Sequence, residues 1–68
     1  MGNKLTPREV EILNLVRLGN SNRMIASRLG LSIGTIKSHL MTIFLRLGAM
    51  NRTDAIIKAH KAGYIKIE

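Results

Sequence analysis

The sequence predicts an all-α fold, a four-helix domain with a central helix-turn-helix, and three features predict it. Cap-forming side chains stand at Thr6, Ser21, Ser32 and Asn51, each just ahead of a segment with helical apolar spacing. Glycines at Gly19, Gly30 and Gly63 follow the last apolar residue of three of these segments, where helices stop. The second and third segments are divided only by the short Gly30-Leu31 turn, the sequence form of a helix-turn-helix. Helices are expected at about residues 7–18, 22–29, 33–47 and 52–62.

The first helix opens on Thr6-Pro7-Arg8-Glu9, with an N-cap threonine, a proline at the first helical position and a glutamate placed to close a capping box. Ile12, Leu13 and Val16 form its apolar stripe, widened by Val10 and Leu15, and Gly19 stops it. Ser21 caps a second helix whose inward set is Ile25, Ala26 and Leu29, ended by Gly30. In the third helix, capped by Ser32, Ile36, Leu40, Ile43, Phe44 and Leu47 recur with the clearest helical period of the chain. Asn51 with Asp54 opens the fourth, and Gly63 stops it before a tail from Tyr64 to Glu68.

Three residues make the helix-turn-helix specific. Ala26 is small where the paired helices must approach, Gly30 supplies a permissive turn, and Ile36 is the branched residue that locks the third helix onto the second.

Sixty-eight residues suffice for a single domain, 1–68, with one modest core. The absence of cysteine excludes disulfides, cysteine-containing zinc fingers and thiol nucleophiles. His39 and His60 have no aligned carboxylate pair, so no metal site is expected. No nucleophile-base pair or phosphate loop is present, so neither an enzyme nor a cofactor is expected. The start, MGNKLTPRE, lacks the apolar run of a signal peptide, and no stretch reaches the length of a membrane span. A cytoplasmic protein without membrane association is the resulting expectation.

Eleven Lys and Arg face four Asp and Glu, a formal net charge of +7, which points to a polyanionic partner. The third helix sharpens this. Thr35, Ser38, Met41 and Thr42 lie opposite its apolar stripe, with Lys37 on one edge and His39 and Arg46 on the other, and no acid occurs from Leu29 to Asn51. A helix lying against phosphates cannot carry glutamates, and short polar side chains let its backbone enter the major groove. The expected partner is double-stranded DNA.

The chain resembles the LuxR/FixJ-type, or GerE-like, effector domains of bacterial transcription regulators. The resemblance rests on Leu5-Thr6-Pro7-Arg8-Glu9, Gly19-Asn20-Ser21-Asn22-Arg23 with Ile25-Ala26, Ser32 with Thr35-Ile36-Lys37-Ser38-His39-Leu40, Leu47-Gly48, and Asn51-Arg52-Thr53 with Ala55. It implies a third helix that reads the major groove and a fourth that often pairs two copies. By position it implies that Lys37, Ser38 and Met41 face bases, and that Asn22, Arg23, Thr35, His39 and Arg52 contact phosphates. Met41 departs from the family's polar or basic residue there, and a thioether favours a thymine methyl over a hydrogen-bonding base edge.

Structural alternatives accompany these roles. His39 can pack or cap the helix pair, Asn22 can serve only as a local cap, and Glu9 and Glu11 fit cap and buried-partner positions. The row Ala55, Ala59 and Ala62 fits either a dimer seam or packing against the first helix. A homodimer on an inverted repeat is expected, with RNA polymerase as a candidate protein partner. A promoter-reading sigma-factor region is a related reading, disfavoured by the Gly19-to-Arg23 segment and His39. A helical protein-interaction adaptor is the rival from another class, suggested by exposed Met41 and Leu45.

Overall fold

A computed structural model describes residues 4–66. It contains α1 (Pro7–Arg17), α2 (Asn22–Leu29), α3 (Ile33–Leu47) and α4 (Arg52–Lys61), the four helices predicted, with each end within one residue of expectation. No strand occurs among the described residues.

Each helix starts where a side chain satisfies an orphan amide. Ser21 accepts from the Met24 N–H at 3.2 Å, Ser32 from Thr35 at 3.0 Å, and Asn51 from Asp54 at 2.8 Å. At Thr6 the exchange is reciprocal: Glu9 N–H donates to Thr6 Oγ1 at 3.2 Å and Thr6 N–H donates to Glu9 Oε1 at 2.9 Å. Caps of this kind contribute about 1 kcal/mol each.

The corner between α2 and α3 depends on Gly30, which takes the left-handed conformation at φ 68°. That bend lets Leu31 N–H reach back to the Ala26 carbonyl at 2.9 Å, closing α2 while the chain turns toward the Ser32 cap.

The core draws on every helix. Ile12 and Leu13 of α1, Ile25 and Ala26 of α2, Ile36, Leu40 and Ile43 of α3, and Ala55 and Ala59 of α4 are buried together. Ala26 is buried, and its small size suits close packing of the helix pair. The result is a short helical scaffold on which one side of α3 faces outward.

The structure adds one detail to the sequence expectations and corrects two. The tail after Gly63 packs onto the domain as far as it is described: Ile65 is buried, and Leu5 N–H donates to Tyr64 Oη at 3.2 Å, drawing the two ends of the described chain together. The remaining residues of that expected tail, 67 and 68, lie outside the described residues. Ala55 and Ala59 are fully buried inside one copy, so they cannot form a seam with another; Ala62 is exposed. Their small size serves packing of α4 within the monomer. Glu9 is buried as expected, but Glu11 is exposed and pairs with Arg8 at 3.2 Å on the surface.

Candidate nucleic-acid interface

The interface begins at the turn into α2. Asn20 is buried, with its Nδ2 donating to the Leu15 carbonyl at 2.9 Å and its Oδ1 accepting from Arg28 Nε at 3.0 Å. Its own carbonyl accepts from Arg52 Nη2 at 2.9 Å, while Arg52 Nη1 donates to Asn22 Oδ1 at 2.6 Å. The guanidinium therefore holds the α2 start from α4 with two donors, one to a side chain and one to the backbone. Asn22 and Arg23 occupy the first turn of α2, where free amides and the helix dipole favour an anion.

The residues expected to meet DNA gather around this turn and along α3. Asn22, Arg23 and Arg52 line one depression. Asn22 and Arg52 also line a second, with Lys37 and Met41 from α3. Thr35, Ser38 and His39 line a third along the next edge of α3, together with Thr42. Arg23, Thr35, Lys37, Ser38 and Met41 are exposed, whereas His39, Asn22 and Arg52 are half-buried. Thr35 is partly committed to the cap, its hydroxyl lying 2.8 Å from that of Ser32.

Arg46 does not belong with this set. The sequence places it on the outer edge of α3, but its Nη1 donates to buried Glu9 Oε1 at 3.0 Å and to the Lys4 carbonyl at 3.1 Å. Glu9 thus serves both the capping box and an ion pair between α1 and α3. The remaining described acids are engaged as well: Glu11 with Arg8, and Asp54 with Lys58 at 3.0 Å. The Lys58 hydrogen bond, helped by the Met50 N–H, holds the Asp54 carboxyl below its ordinary range. With these acids paired elsewhere, the cations bordering α3 act unopposed on an approaching polyanion.

Two contributors escaped sequence reasoning. Asn20 was visible only as part of a matching stretch, since nothing in the sequence marks a polar residue for burial. Lys58 Nζ donates to the Gly48 carbonyl at 2.6 Å, fixing the C-terminal end of α3; its spacing of four from Asp54 was the available signal.

Among the described residues, no group of three or more His, Asp or Glu could hold a metal ion, and no helix is long and apolar enough to cross a membrane.

Known proteins resemble this chain in sequence and in fold. The transcriptional regulatory protein DegU of Brevibacillus brevis is 40% identical over 63 residues, which is 93% of this chain and 27% of that protein. The CsgBAC operon transcriptional regulatory protein of Escherichia coli K12 is 48% identical over 52 residues, covering 76% of this chain and 24% of that protein. The chain thus spans about a quarter of the length of these two relatives. A crystal structure of the response regulator ChrA of a heme-sensing two-component system superposes with a TM-score of 0.88 at 44% identity, over 91% of this chain and 31% of that one. VqmA bound to DPO superposes with a TM-score of 0.81 at 30% identity, over 94% and 32%. Residues 3–59 match the family described as GerE, bacterial regulatory proteins of the luxR family. With the helix-turn-helix in place and the match spanning most of its length, the chain belongs to the luxR family of bacterial regulatory proteins, as a DNA-binding domain of transcription regulators and not an enzyme.

Proposed function

We propose that this domain recognises specific duplex sequences by placing α3 in the major groove, two copies binding an inverted repeat. The observation that carries the reading is the exposed side of α3, free of acids from Leu29 to Asn51 and bordered by Lys37, Arg23 and Arg52. Lys37, Ser38 and Met41 face base edges. Asn22, Arg23, Thr35, His39 and Arg52 engage phosphates, with the α2 start acting as an anion-binding helix terminus. The protein works in the cytoplasm, with RNA polymerase as its protein partner at a promoter.

Pairing of two copies cannot use Ala55 and Ala59, which the core consumes. The outward side of α4 instead offers Thr53, Ile57 and Lys61, one helical turn apart, and Ile57 is an exposed large apolar residue.

Salt dependence tests the electrostatic basis. If about four to six phosphates are neutralised, affinity for duplex DNA should fall with a log-log slope near about −4 to −5. A flat response would overturn the phosphate-driven mode.

A further inference from the structure

The outer face of α3 changes chemistry halfway along the helix. At about 100° per residue, Gly34, Ser38, Met41 and Leu45 fall within an arc of roughly 60°, opposite the buried stripe of Ile36, Leu40 and Ile43. The first two are small. The second two are large and apolar, and they are 67% and 78% exposed. Phe44 and Leu47, from the same turns, pack against the core; Met41 and Leu45 do not. Two adjoining apolar side chains thus stand on the line of the helix that points most directly away from the protein.

We propose that Met41 and Leu45 form an apolar reading pair for the C5-methyl groups of thymines in the major groove. This rests on the duplex-DNA reading above and adds Leu45 as a specificity-determining residue. The surroundings select the occupant. The apolar pair is set among Lys37, Ser38 and Thr42 on a segment without acids, which suits a polyanion carrying apolar groups on its edge. The thymine methyl is the one such group that base pairs present in that groove. Neither side chain can satisfy the polar atoms of a base edge, so pressing them against a pair strips water without return unless a thymine methyl is there to be contacted. The pair therefore favours A·T through contact with the methyl.

The spacing makes the proposal specific. Four residues of helix advance about 6 Å, whereas successive base pairs advance about 3.4 Å. With α3 lying along the groove, Met41 and Leu45 meet thymines about two base-pair steps apart. Lys37 and Ser38, nearer the helix start, read adjoining pairs by hydrogen bonds.

The test uses the protein as it stands. Preferred sites are selected from a random duplex library, and each thymine of the best site is then replaced singly by deoxyuridine, which differs only by the missing methyl. Two positions about two steps apart should each lose about fourfold in affinity, the effect of one buried methyl-sized group. Leu45→Ala should remove the uracil sensitivity at one position and Met41→Ala at the other; both side chains are exposed, so neither change opens the core. If selective binding persists while every uracil substitution is silent, or if both variants keep full uracil sensitivity, the reading pair is wrong and the DNA-binding assignment survives. That outcome also fits a surface reserved for a protein partner. Failure to select any duplex would instead overturn the DNA-binding reading itself.

Discussion

Arg52 on α4 reaches across to Asn22 at the start of α2, its Nη1 donating to Asn22 Oδ1 at 2.6 Å. Because Nη2 also donates to the Asn20 carbonyl, one guanidinium fixes both the backbone and the side chain of the turn proposed to meet phosphate. Accepting at Oδ1 leaves the Asn22 amide nitrogen to donate elsewhere. Arginine carries five donors, so the two bonds leave capacity for a phosphate as well. Arg52 thus combines a positioning role with the phosphate role that the family resemblance implies.

Replacing Arg52 by alanine and by lysine should separate these roles. Arg52→Ala is expected to lower stability by about 1–3 kcal/mol, since it leaves polar groups of the turn unpaired, and to reduce the salt slope of DNA binding by about one unit. Arg52→Lys keeps the charge and most of the slope but loses the fork, so it should destabilise comparably. Thermal melts and binding titrations across salt concentrations measure the two effects. An unchanged melting temperature in both variants would contradict the positioning role.

Lys37 and Ser38 should behave differently from Arg23. Lys37→Ala and Ser38→Ala are expected to alter which base pairs are preferred, with discrimination at the affected pair falling by about 1–3 kcal/mol. Arg23→Ala should weaken binding similarly on all sequences and lower the salt slope by about one unit. Competition between selected and scrambled duplexes distinguishes the groups. Unchanged affinity and preference in Lys37→Ala would show that the proposed docking face is misplaced.

Glu9 and Arg46 provide a stability test remote from the proposed DNA face. Arg46→Ala strips the buried Glu9 carboxylate of its cation while leaving the Thr6 capping contact in place. The Arg46 side chain is 31% exposed, so solvent screens part of the pair. A loss of about 1–3 kcal/mol is expected, the about 1.5–3 kcal/mol of a hydrogen bond to a charged group discounted for that screening. Denaturant titration measures it, and a change below about 0.5 kcal/mol, typical of neutral surface sites, would show that water replaces Arg46 without penalty.

Gly30 isolates the backbone contribution of the helix-turn-helix corner. A Cβ added there meets no heavy atom within 4 Å, so steric collision with the rest of the protein plays no part. The φ of 68° nevertheless lies in the left-handed region. Gly30→Ala should therefore cost about 1–2 kcal/mol, with the helical signature retained. A neutral or stabilising outcome would mean that the corner relaxes to a right-handed conformation.

The contrast between what the sequence revealed and what it hid follows from the range of the interactions. Helix starts at Thr6, Ser21, Ser32 and Asn51 are local events, decided by a side chain and an amide a few residues away, and they were legible. The exposed row of α3 was legible because the period of its buried stripe fixes the opposite face. Arg46 was misplaced because its partner, Glu9, is distant in sequence, and helical periodicity locates a side chain's base without saying where a long side chain reaches. Ala55 and Ala59 failed as a seam for a related reason. A row of small residues marks a close approach, but the sequence does not say whether the neighbour belongs to the same copy. Asn20 and Tyr64 complete tertiary hydrogen bonds that no local pattern announces.

The last expectation concerns two copies on one site. A single recognition helix covers only about four or five base pairs, too few to define a site within a genome, so a second copy must contribute. Two-fold pairing places the two α3 helices one DNA turn apart, roughly 34 Å, with half-site centres about 10 base pairs apart. The seam proposed on α4 is small, with Ile57 as its exposed apolar residue and Thr53 and Lys61 beside it. An interface of that size is weak without DNA, so dimers should assemble on the duplex, with bound fraction rising cooperatively in protein concentration. Ile57→Glu should abolish the cooperativity while binding to an isolated half-site persists, weakened only by the carboxylate added beside Arg52, with which Ile57 lines a depression. Inserting five base pairs between the half-sites turns one by about half a helical turn and should abolish cooperativity in the unaltered protein as well. Cooperative binding that survives both changes would rule out the α4 seam and the two-fold arrangement, while leaving the fold and the family assignment intact.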